Sequence, residues 1–429
     1  MINKIKLKKT IKTFLFILLV SLVTNTFAAK ILIPMDNNQN NHLKAYGVAF
    51  WVLEQDVEIS WLLNYRGGSY LSPYNEVIEN ECVARGVSYE VISDVQAQSI
   101  RIQISAADVN MDDMKLQKVP KIAVYSPKNK QPWDDAVTLA LTYAEIPYDI
   151  VYDKEVIGGL LPTYDWLHLH HEDFTGQYGK FWSRYRSFPW YQEDVRSSEE
   201  MAKELGFNKV SHLKLAVTKK IKEFVAGGGY LFAMCSATDS YDVALSAETV
   251  DICDVMFDGD PMDPNAQEKL NYSPCLAFRD FTIVQNPSEY EISDIDVTYT
   301  RPRSINKTND YFSLFEFSAK WDHIPTMLTQ DHVKLIPGFM GQTTAFNKSK
   351  VKPGVIIMGE NKAAGEVRYM HGEYGKGFWT FYGGHDPEDY QHRIGDPPTD
   401  LNLHPNSPGY RLILNNILFP AAKKKKRKT

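Results

Sequence analysis

Residues 226–242 read AGGGYLFAMCSATDSYD, and the predicted fold is built around this segment. Three glycines follow a helix-like run at residues 213–225, and a short apolar run then ends abruptly at Cys235. Such a run predicts a buried parallel strand, because helices cover both faces of a parallel sheet. Small and turn-forming residues follow the cysteine and lead into a second helix-like segment. The sequence therefore predicts a sharp turn from strand to helix at Cys235.

The predicted turn makes Cys235 a candidate nucleophile. A side chain at a strand-to-helix turn is held in the open above the edge of the sheet. The N–H groups and positive dipole of the following helix favour a thiolate there, and the backbone N–H of Ser236 would help to hold an oxyanion. A free cysteine is usually an inert buried thiol, and this segment alone leaves both interpretations open.

A second informative segment, GGHDPEDY, occupies residues 383–390. It follows an apolar strand-like run, so we expect His385 to emerge at the same sheet edge as Cys235. A general base must lie within hydrogen-bond reach of its nucleophile, and it needs a third group that holds its tautomer. Glu388 and Asp386 are the candidates for that third group.

Strand-like and helix-like segments alternate along most of the chain. An N-terminal run over residues 29–118, with a helix near residues 42–54, predicts a small parallel α/β lobe. Further along, a proline–tryptophan pair opens a predicted helix whose first turn carries Asp134 and Asp135. The next strands are predicted near residues 121–126, 148–152, 165–170 and 230–235. They would form the centre of a doubly wound sheet, in which ligands gather at the carboxyl ends of the strands.

Two insertions interrupt this second run, near residues 174–210 and 251–347. The first is rich in aromatic and charged side chains, and we interpret it as a packed excursion, with a lid or a carbohydrate-stacking surface as the alternatives. The second carries short segments with a β-type pattern, such as residues 281–284 and 295–299. The basic tail at residues 423–429 is interpreted as a solvated end of the chain.

The first 28 residues have the pattern of a secretory signal peptide. A lysine-rich start precedes a short apolar core, and small residues before Ala29 offer a cleavage site. The apolar core is too short to span a bilayer, and no later run is long enough. We therefore expect a secreted or periplasmic protein without a transmembrane segment.

The charge and the cysteine content restrict the classes of function. The 429-residue chain has a net charge of −6, and cleavage of a leader with five lysines and no acidic residue would make it more acidic. An acidic chain argues against nucleic acid as the main partner. Four cysteines are too few for a disulfide scaffold. A single Cys253–Cys275 bridge would suit an oxidising compartment, although the spacing does not establish it.

Together, GGGYLFAMCSATDSYD and GKGFWTFYGGHDPEDY resemble the two hallmark segments of ThuA-like (trehalose-utilisation) proteins. Those proteins belong to the class I glutamine amidotransferase-like superfamily. The resemblance implies a flavodoxin-like doubly wound parallel sheet over residues 119–422, with an N-terminal α/β lobe before it. It also implies a catalytic triad of Cys235, His385 and Glu388.

The sequence departs from these families at identifiable positions. Amidotransferases flank the cysteine with glycines, where this chain has Ala233 and Ala237. Many ThuA-like proteins carry histidine at the position of Cys235. Over nearly its whole length the chain also resembles a secreted bacterial family called asparagine synthetase B. That chemistry needs an N-terminal cysteine and an SGG-type pyrophosphate loop, whereas cleavage here would expose Ala29, so the name does not predict the reaction.

A third cluster, HLHHED at residues 168–173, follows the predicted strand at residues 165–170. His168 and His170 share one face of that strand, and Asp173 lies at its end. Imidazoles and a carboxylate at this spacing can bind zinc or another divalent metal. The alternative is a polar rim of the crevice whose histidines are satisfied by their neighbours.

These observations favour a secreted hydrolase that uses Cys235, His385 and Glu388 on an amide or a sugar-derived small molecule. A non-catalytic protein that binds carbohydrate or the cell envelope would have the same fold. In a third interpretation the reaction is metal-assisted hydrolysis at His168, His170 and Asp173, and Cys235 is dispensable.

Overall fold

The computed structural model describes residues 29–128, 132–302, 304–391 and 393–423. The predicted signal peptide and residues 424–429 of the basic tail lie outside these ranges. Within them, no helix combines the length and the apolar character that crossing a membrane requires. These described residues form a mixed α/β fold with two sheets.

The N-terminal sheet is antiparallel. Its described strands are β1 (Ala29–Ile33), β2 (Ile59–Leu63), β3 (Ser69–Pro73), β4 (Glu90–Ser93) and β5 (Asp112–Leu116). They lie in the order β4-β1-β3-β2-β5, and each pairing is antiparallel. The helices of this region are α1 (His42–Glu54), α2 (Glu76–Ala84) and α3 (Asp94–Ser105).

The prediction of a parallel N-terminal lobe is therefore wrong. A short turn joins β2 to β3, and a turn of this length permits only an antiparallel pair, since parallel strands need a crossover of about a dozen residues or more. Gly67 in this turn has a φ of 75°, and a Cβ there would lie 2.1 Å from the carbonyl oxygen of Met35. The glycine pair thus closes a hairpin whose second strand the sequence analysis missed.

The larger sheet has ten strands within the described residues. They are β6 (Ile122–Tyr125), β7 (Asp149–Val151), β8 (Trp166–Leu169), β9 (Tyr230–Met234), β10 (Tyr311–Leu314), β11 (Leu335–Pro337), β12 (Phe346–Asn347), β13 (Ile356–Asn361), β14 (Glu366–Tyr374) and β15 (Gly377–Tyr382). The order is β11-β10-β13-β14-β15-β9-β8-β6-β7, and β12 pairs with β14. The section β7-β6-β8-β9-β15 is parallel, and the remaining pairings are antiparallel.

Helices and loops cover both faces of the parallel section. The α-helices of this part are α4 (Ala136–Ala144), α5 (Asp153–Ile157), α6 (Trp182–Tyr185), α7 (Pro189–Glu204), α8 (Val210–Gly227), α9 (Ser236–Ser246), α10 (Val255–Asp258), α11 (Ala266–Lys269), α12 (His323–Leu328) and α13 (Pro408–Leu418). Phe232 of β9 packs in a core with α1, α4 and α13, whereas Leu231 packs in a second core with α8 and α9. The alternation of β9 between two cores explains its unbroken apolar sequence.

The two predicted insertions differ in how much regular secondary structure they contain. Residues 174–210 contain α6 and α7, and their aromatic rings pack on one another; Phe181 and Trp190, for example, meet edge to face. This arrangement corresponds to the packed excursion described in the sequence analysis. Residues 251–347 are largely irregular. The β-type segments predicted at 281–284 and 295–299 do not form strands and contribute only isolated bridges, such as Asp296 to Phe346.

Candidate functional site

Cys235 occupies the strand-to-helix turn between β9 and α9, as the sequence predicts. Its φ of 51° and ψ of −142° lie outside the regions that an L-residue normally adopts. The Cys235 N–H donates to the carbonyl oxygen of Gly384 over 3.1 Å, and the Cys235 carbonyl accepts from the N–H and the hydroxyl of Thr238. These bonds hold a backbone conformation that is typical of strained functional sites.

His385 lies beside Cys235 because the parallel strands β9 and β15 end at the same sheet edge. The His385 imidazole interacts with the Cys235 thiol, and its Nε2 lies 3.6 Å from Oδ1 of Asp134. Burial and the neighbouring His170 lower the pKa of His385, but the contacts with Asp134 and Cys235 outweigh them, so the net shift is upward. The imidazole is thus a stronger base than a free histidine.

The carboxylate that faces His385 belongs to Asp134 and not to Glu388. Glu388 turns away and pairs with Nδ1 of His404 over 3.0 Å. The other sequence candidate, Asp386, accepts the backbone N–H of Glu388. Burial would raise the pKa of Asp134, but the contact with His385 outweighs it and holds this pKa below the usual range.

The start of α4 explains why Asp134 reaches the site. The helix begins at Ala136, and Asp135 is its N-cap, with Oδ1 accepting the N–H groups of Val137 and Thr138. Both aspartates therefore precede the helix, whereas the sequence analysis placed them in its first turn. An N-cap residue has extended backbone. The second carboxylate oxygen of Asp135, Oδ2, and the carboxylate of Asp134 therefore reach the sheet edge.

Asp135 holds two of the predicted metal-ligand histidines. Its Oδ2 lies 3.3 Å from Nε2 of His168 and 3.1 Å from Nδ1 of His170. Burial would raise the pKa of Asp135, but the two imidazoles hold it well below the usual range. Asp173, the predicted carboxylate partner, instead accepts the N–H groups of its own loop, including that of Thr175. The structure thus brings His168 and His170 together, as predicted, but the carboxylate beside them is that of Asp135 and not that of Asp173.

Two residue groups at this edge could hold a metal ion, and they share His170. One comprises Asp135, His168 and His170, and the other His170, His171 and His385; in each, the donor atoms lie within 4.8 Å of one another. A third group, around Asp251 and Asp258, already surrounds the ammonium of Lys209 at 2.7 and 2.9 Å. That lysine supplies the positive charge which the acidic cluster needs.

A loop from the second insertion covers the thiol. The N–H of Gln342 donates to Sγ of Cys235 over 3.3 Å, and its side-chain amide donates to the carbonyl oxygen of Gly179. Gly341 packs so tightly that a Cβ there would lie 2.7 Å from the backbone nitrogen of His385. Sequence reasoning gave this loop no role, because it lies far from Cys235 in the chain. Cys235 is consequently only 1 % exposed.

A cavity of about 350 Å³ lies between the first insertion and residues 288–299 of the second. Four of its ten wall residues are aromatic, and Arg184 and Glu291 add charges of both signs. The residues of the wall are Lys180, Phe181, Ser183, Arg184, Tyr185, Ser288, Glu289, Tyr290, Glu291 and Tyr299. Tyr290 is the wall residue that links the cavity to the thiol: burial, and secondly Cys235, raise the pKa of its hydroxyl.

The four cysteines are free thiols, and the Cys253–Cys275 bridge is not formed. Cys253 donates to the carbonyl oxygen of Thr175, and Cys275 donates to that of Asp242. Each thiol is therefore engaged in a different part of the core.

Comparisons with known proteins add little. No family model and no curated protein matches the chain. Among solved structures, "Cytoplasmic Protein STM1381" from Salmonella typhimurium LT2 is 12% identical over 71% of this chain and 100% of its own, with a TM-score of 0.35. "Cytoplasmic Protein STM3548" from Salmonella typhimurium is 11% identical over 71% of this chain and 100% of its own, with a TM-score of 0.33. Gan42B, a GH42 β-galactosidase, is 11% identical over 62% of this chain and 28% of its own, with a TM-score of 0.24. Similarity this low carries no argument about the fold or the function.

Proposed function

We propose that the chain is a secreted or periplasmic hydrolase with a cysteine nucleophile, in which Cys235, His385 and Asp134 act together. The observation that carries this proposal is the strained turn at Cys235 with the His385 imidazole against its thiol. A nucleophile, a base within reach and a carboxylate that orients the base make up the arrangement of covalent catalysis. Asp134 takes the place that the sequence resemblance gave to Glu388.

The arrangement supports a two-step hydrolysis of an amide or a sugar-derived substrate. His385 would take the proton of the Cys235 thiol as the sulfur attacks the carbonyl carbon. The imidazolium would then protonate the leaving group, which departs as a thioester forms. Water, deprotonated by His385, would attack the thioester and release the acid and the thiol. The N–H of Ser236, at a helix position without an intrahelical acceptor, would hold the oxyanion in both steps.

The strand order favours membership of the ThuA-like branch of the class I glutamine amidotransferase-like superfamily. Numbered by their occurrence in the chain, the five parallel strands have the order 2-1-3-4-5, which is the flavodoxin-like order. Cys235 and His385 follow two neighbouring strands of this set, at the edge where ligands gather in such folds. We therefore infer a flavodoxin-like catalytic domain extended by the antiparallel strands β10 to β14.

The site needs an opening step before substrate can reach the thiol. The Gln342 loop covers Sγ, and Tyr290, whose hydroxyl interacts with the Cys235 thiol, lines a cavity that a small molecule could occupy. A volume of about 350 Å³ accommodates a small molecule. We infer that substrate enters through this cavity and displaces the Gln342 loop.

The first test measures thiol reactivity, which requires no known substrate. The folded protein is labelled with iodoacetamide and analysed by peptide mass spectrometry. Cys235 should react at least about tenfold faster than the other cysteines, because each unit of thiol pKa changes the thiolate fraction about tenfold. The other three cysteines are internal controls. Burial raises the pKa of Cys82 to about 12 and also raises the pKa of Cys253 and of Cys275. Equally slow labelling of all four would contradict the proposal.

The second test distinguishes the two carboxylates. Asp134→Asn should slow Cys235 labelling about tenfold or more, because loss of a charge at this distance lowers an imidazole pKa by about one unit or more. Glu388→Gln is the matched control and should leave the labelling rate within about twofold. The reverse pattern would restore Glu388 as the third group.

The third test is a screen against amide and glycoside panels. Activity that Cys235→Ser abolishes and EDTA spares would support the cysteine hydrolase. Activity that survives in Cys235→Ser and disappears with EDTA would replace it by metal-assisted hydrolysis. Binding of carbohydrate without turnover would favour the non-catalytic alternative.

A further inference from the structure

We propose that His170, His171 and His385 form a binding site for a divalent transition-metal ion of the zinc class, and that the metal and the Cys235 thiol compete for His385. The donor nitrogens of the three imidazoles lie within 4.8 Å of one another at the carboxyl ends of β8 and β15. The site itself is independent of the proposed hydrolase function, and only the competition rests on it.

The orientation of His170 is the first argument. The Asp135 carboxylate lies 3.1 Å from Nδ1 of His170, and since a carboxylate oxygen accepts, this nitrogen carries the proton. Nε2 of the neutral ring then carries a lone pair, and among the described residues this buried atom has no hydrogen-bond partner. A carboxylate that fixes the tautomer of an imidazole from behind is the usual support of a metal-ligating histidine.

The neighbouring imidazoles are the second argument. The ring centroid of His170 lies 4.2 Å from that of His385 and 5.1 Å from that of His171. Three imidazoles in a buried space repel one another when they are protonated, whereas a bound cation uses their lone pairs. Asp134 supports His385 from behind in the same way that Asp135 supports His170. Two of the three ligands thus have a carboxylate already in place.

The donor set selects the class of metal. Three neutral imidazoles suit zinc, copper, cobalt or nickel, and not calcium or magnesium, which prefer oxygen ligands. Zn–N bonds of about 2.0–2.1 Å place tetrahedral ligand nitrogens roughly 3.3 Å apart, so small side-chain rotations would close the site. Three protein ligands leave a fourth position open to water or to a substrate atom.

Sharing of His385 has a chemical consequence. An imidazole nitrogen that binds a metal ion cannot accept the proton of the Cys235 thiol at the same time. A bound ion would also add positive charge next to the sulfur and restrict the motion of the rings. We therefore expect the metal form and the thiol-reactive form to exclude each other, so that metal occupancy silences the cysteine.

The test uses the full chain, purified without a polyhistidine tag and stripped with EDTA. Titration with Co²⁺ should develop visible d–d absorption that saturates at one equivalent, and Zn²⁺ should bleach it by displacement. His171→Ala should weaken Co²⁺ binding at least about 100-fold. His171→Gln retains more of the side-chain volume and should give the same loss. One equivalent of Zn²⁺ should slow iodoacetamide labelling of Cys235 at least tenfold in the unaltered protein and not in the His171 variants.

Two matched controls identify the site. His168→Ala removes a member of the neighbouring group that contains Asp135, but leaves all three proposed ligands. His212→Ala removes an exposed histidine far from the sheet edge in the chain. Both should bind Co²⁺ within about threefold of the unaltered protein.

Several results would overturn the proposal. They are an absence of stoichiometric Co²⁺ binding, binding that is unchanged in both His171 variants, and binding that depends on His168 or His212 instead. Binding without protection of Cys235 would refute the competition. Because cobalt absorption does not depend on the thiol, an inert Cys235 would refute the hydrolase proposal and leave the metal site standing.

Discussion

The strain at Cys235 can be measured by exchanging alanine and glycine at this position. A non-glycine residue in such a backbone conformation costs about 1–3 kcal/mol, and glycine adopts it without that cost. Cys235→Ala keeps the strain and removes only the sulfur, whereas Cys235→Gly also releases the strain. The free energy of unfolding of the two variants therefore reports on the turn itself, independently of any reaction.

The size of the effect follows from a comparison with Ala233 on the same strand. Ala233 is fully buried within β9 and has ordinary strand backbone. Ala233→Gly should cost about 1.5 kcal/mol, from a buried methyl group of about 0.8 kcal/mol and a backbone entropy term of about 0.7 kcal/mol. The same two terms apply at position 235, where strain release opposes them. We therefore expect the exchange of alanine for glycine at 235 to be about 1–3 kcal/mol more favourable than at 233.

Urea denaturation of four proteins provides the measurement. These are the unaltered chain, Cys235→Ala, Cys235→Gly and Ala233→Gly, each followed by fluorescence and circular dichroism with midpoints compared at constant slope. The double difference cancels the terms common to both positions. An alanine-to-glycine effect at 235 equal to that at 233 would refute the argument that this turn stores strain, and with it one support of the nucleophile assignment.

Three further outcomes follow from the buried groups. Lys214→Met leaves the carboxylate of Asp153 buried without its counter-ion at 3.0 Å and should lower the free energy of unfolding by about 3–5 kcal/mol; adding Asp153→Leu should recover most of this in urea titrations. Burial raises the pKa of Asp239 from 3.8 to about 7, so between these values the native state binds more protons than the unfolded state and stability falls as the pH rises. Asp239→Asn should remove this fall between pH 4 and pH 7 in thermal melts. Gly341→Ala should displace the loop over the thiol, because its Cβ would lie 2.7 Å from the nitrogen of His385, and should speed iodoacetamide labelling of Cys235.

Much of the parallel section could be predicted from the sequence. The apolar runs of β6, β8, β9 and β15 are short and bounded by turn residues, and a strand buried on both faces reads in this way. The helix near residues 42–54 was predicted from its amphipathic pattern after a polar loop, and α1 begins at His42 and ends at Glu54. The ends of such elements can be predicted because the residues that begin or end them lie next to them in the sequence.

The errors arose where a local pattern competed with a distant contact. The strand β3 follows two glycines, and its short sequence was not predicted as a strand. The family resemblance assigned Glu388 to the base, whereas the carboxylate that faces His385 comes from Asp134, far earlier in the chain. Gln342 reaches the thiol across 107 residues of sequence separation. Spacing along the chain does not encode such contacts, which depend on the sheet order.

The N-terminus of α4 controls both chemistries inferred for this site. Asp134 and Asp135 are adjacent in the sequence, yet their carboxylates serve different imidazoles, those of His385 and His170. This divergence requires the extended backbone of an N-cap, because two successive residues within a helix would point in directions about 100° apart around its axis. The cap bonds to Val137 and Thr138 fix that backbone, so a substitution that shifts the start of the helix would misplace both carboxylates together. The thiol base and the metal ligand would then lose their orientation in the same variant, although neither His385 nor His170 had been changed.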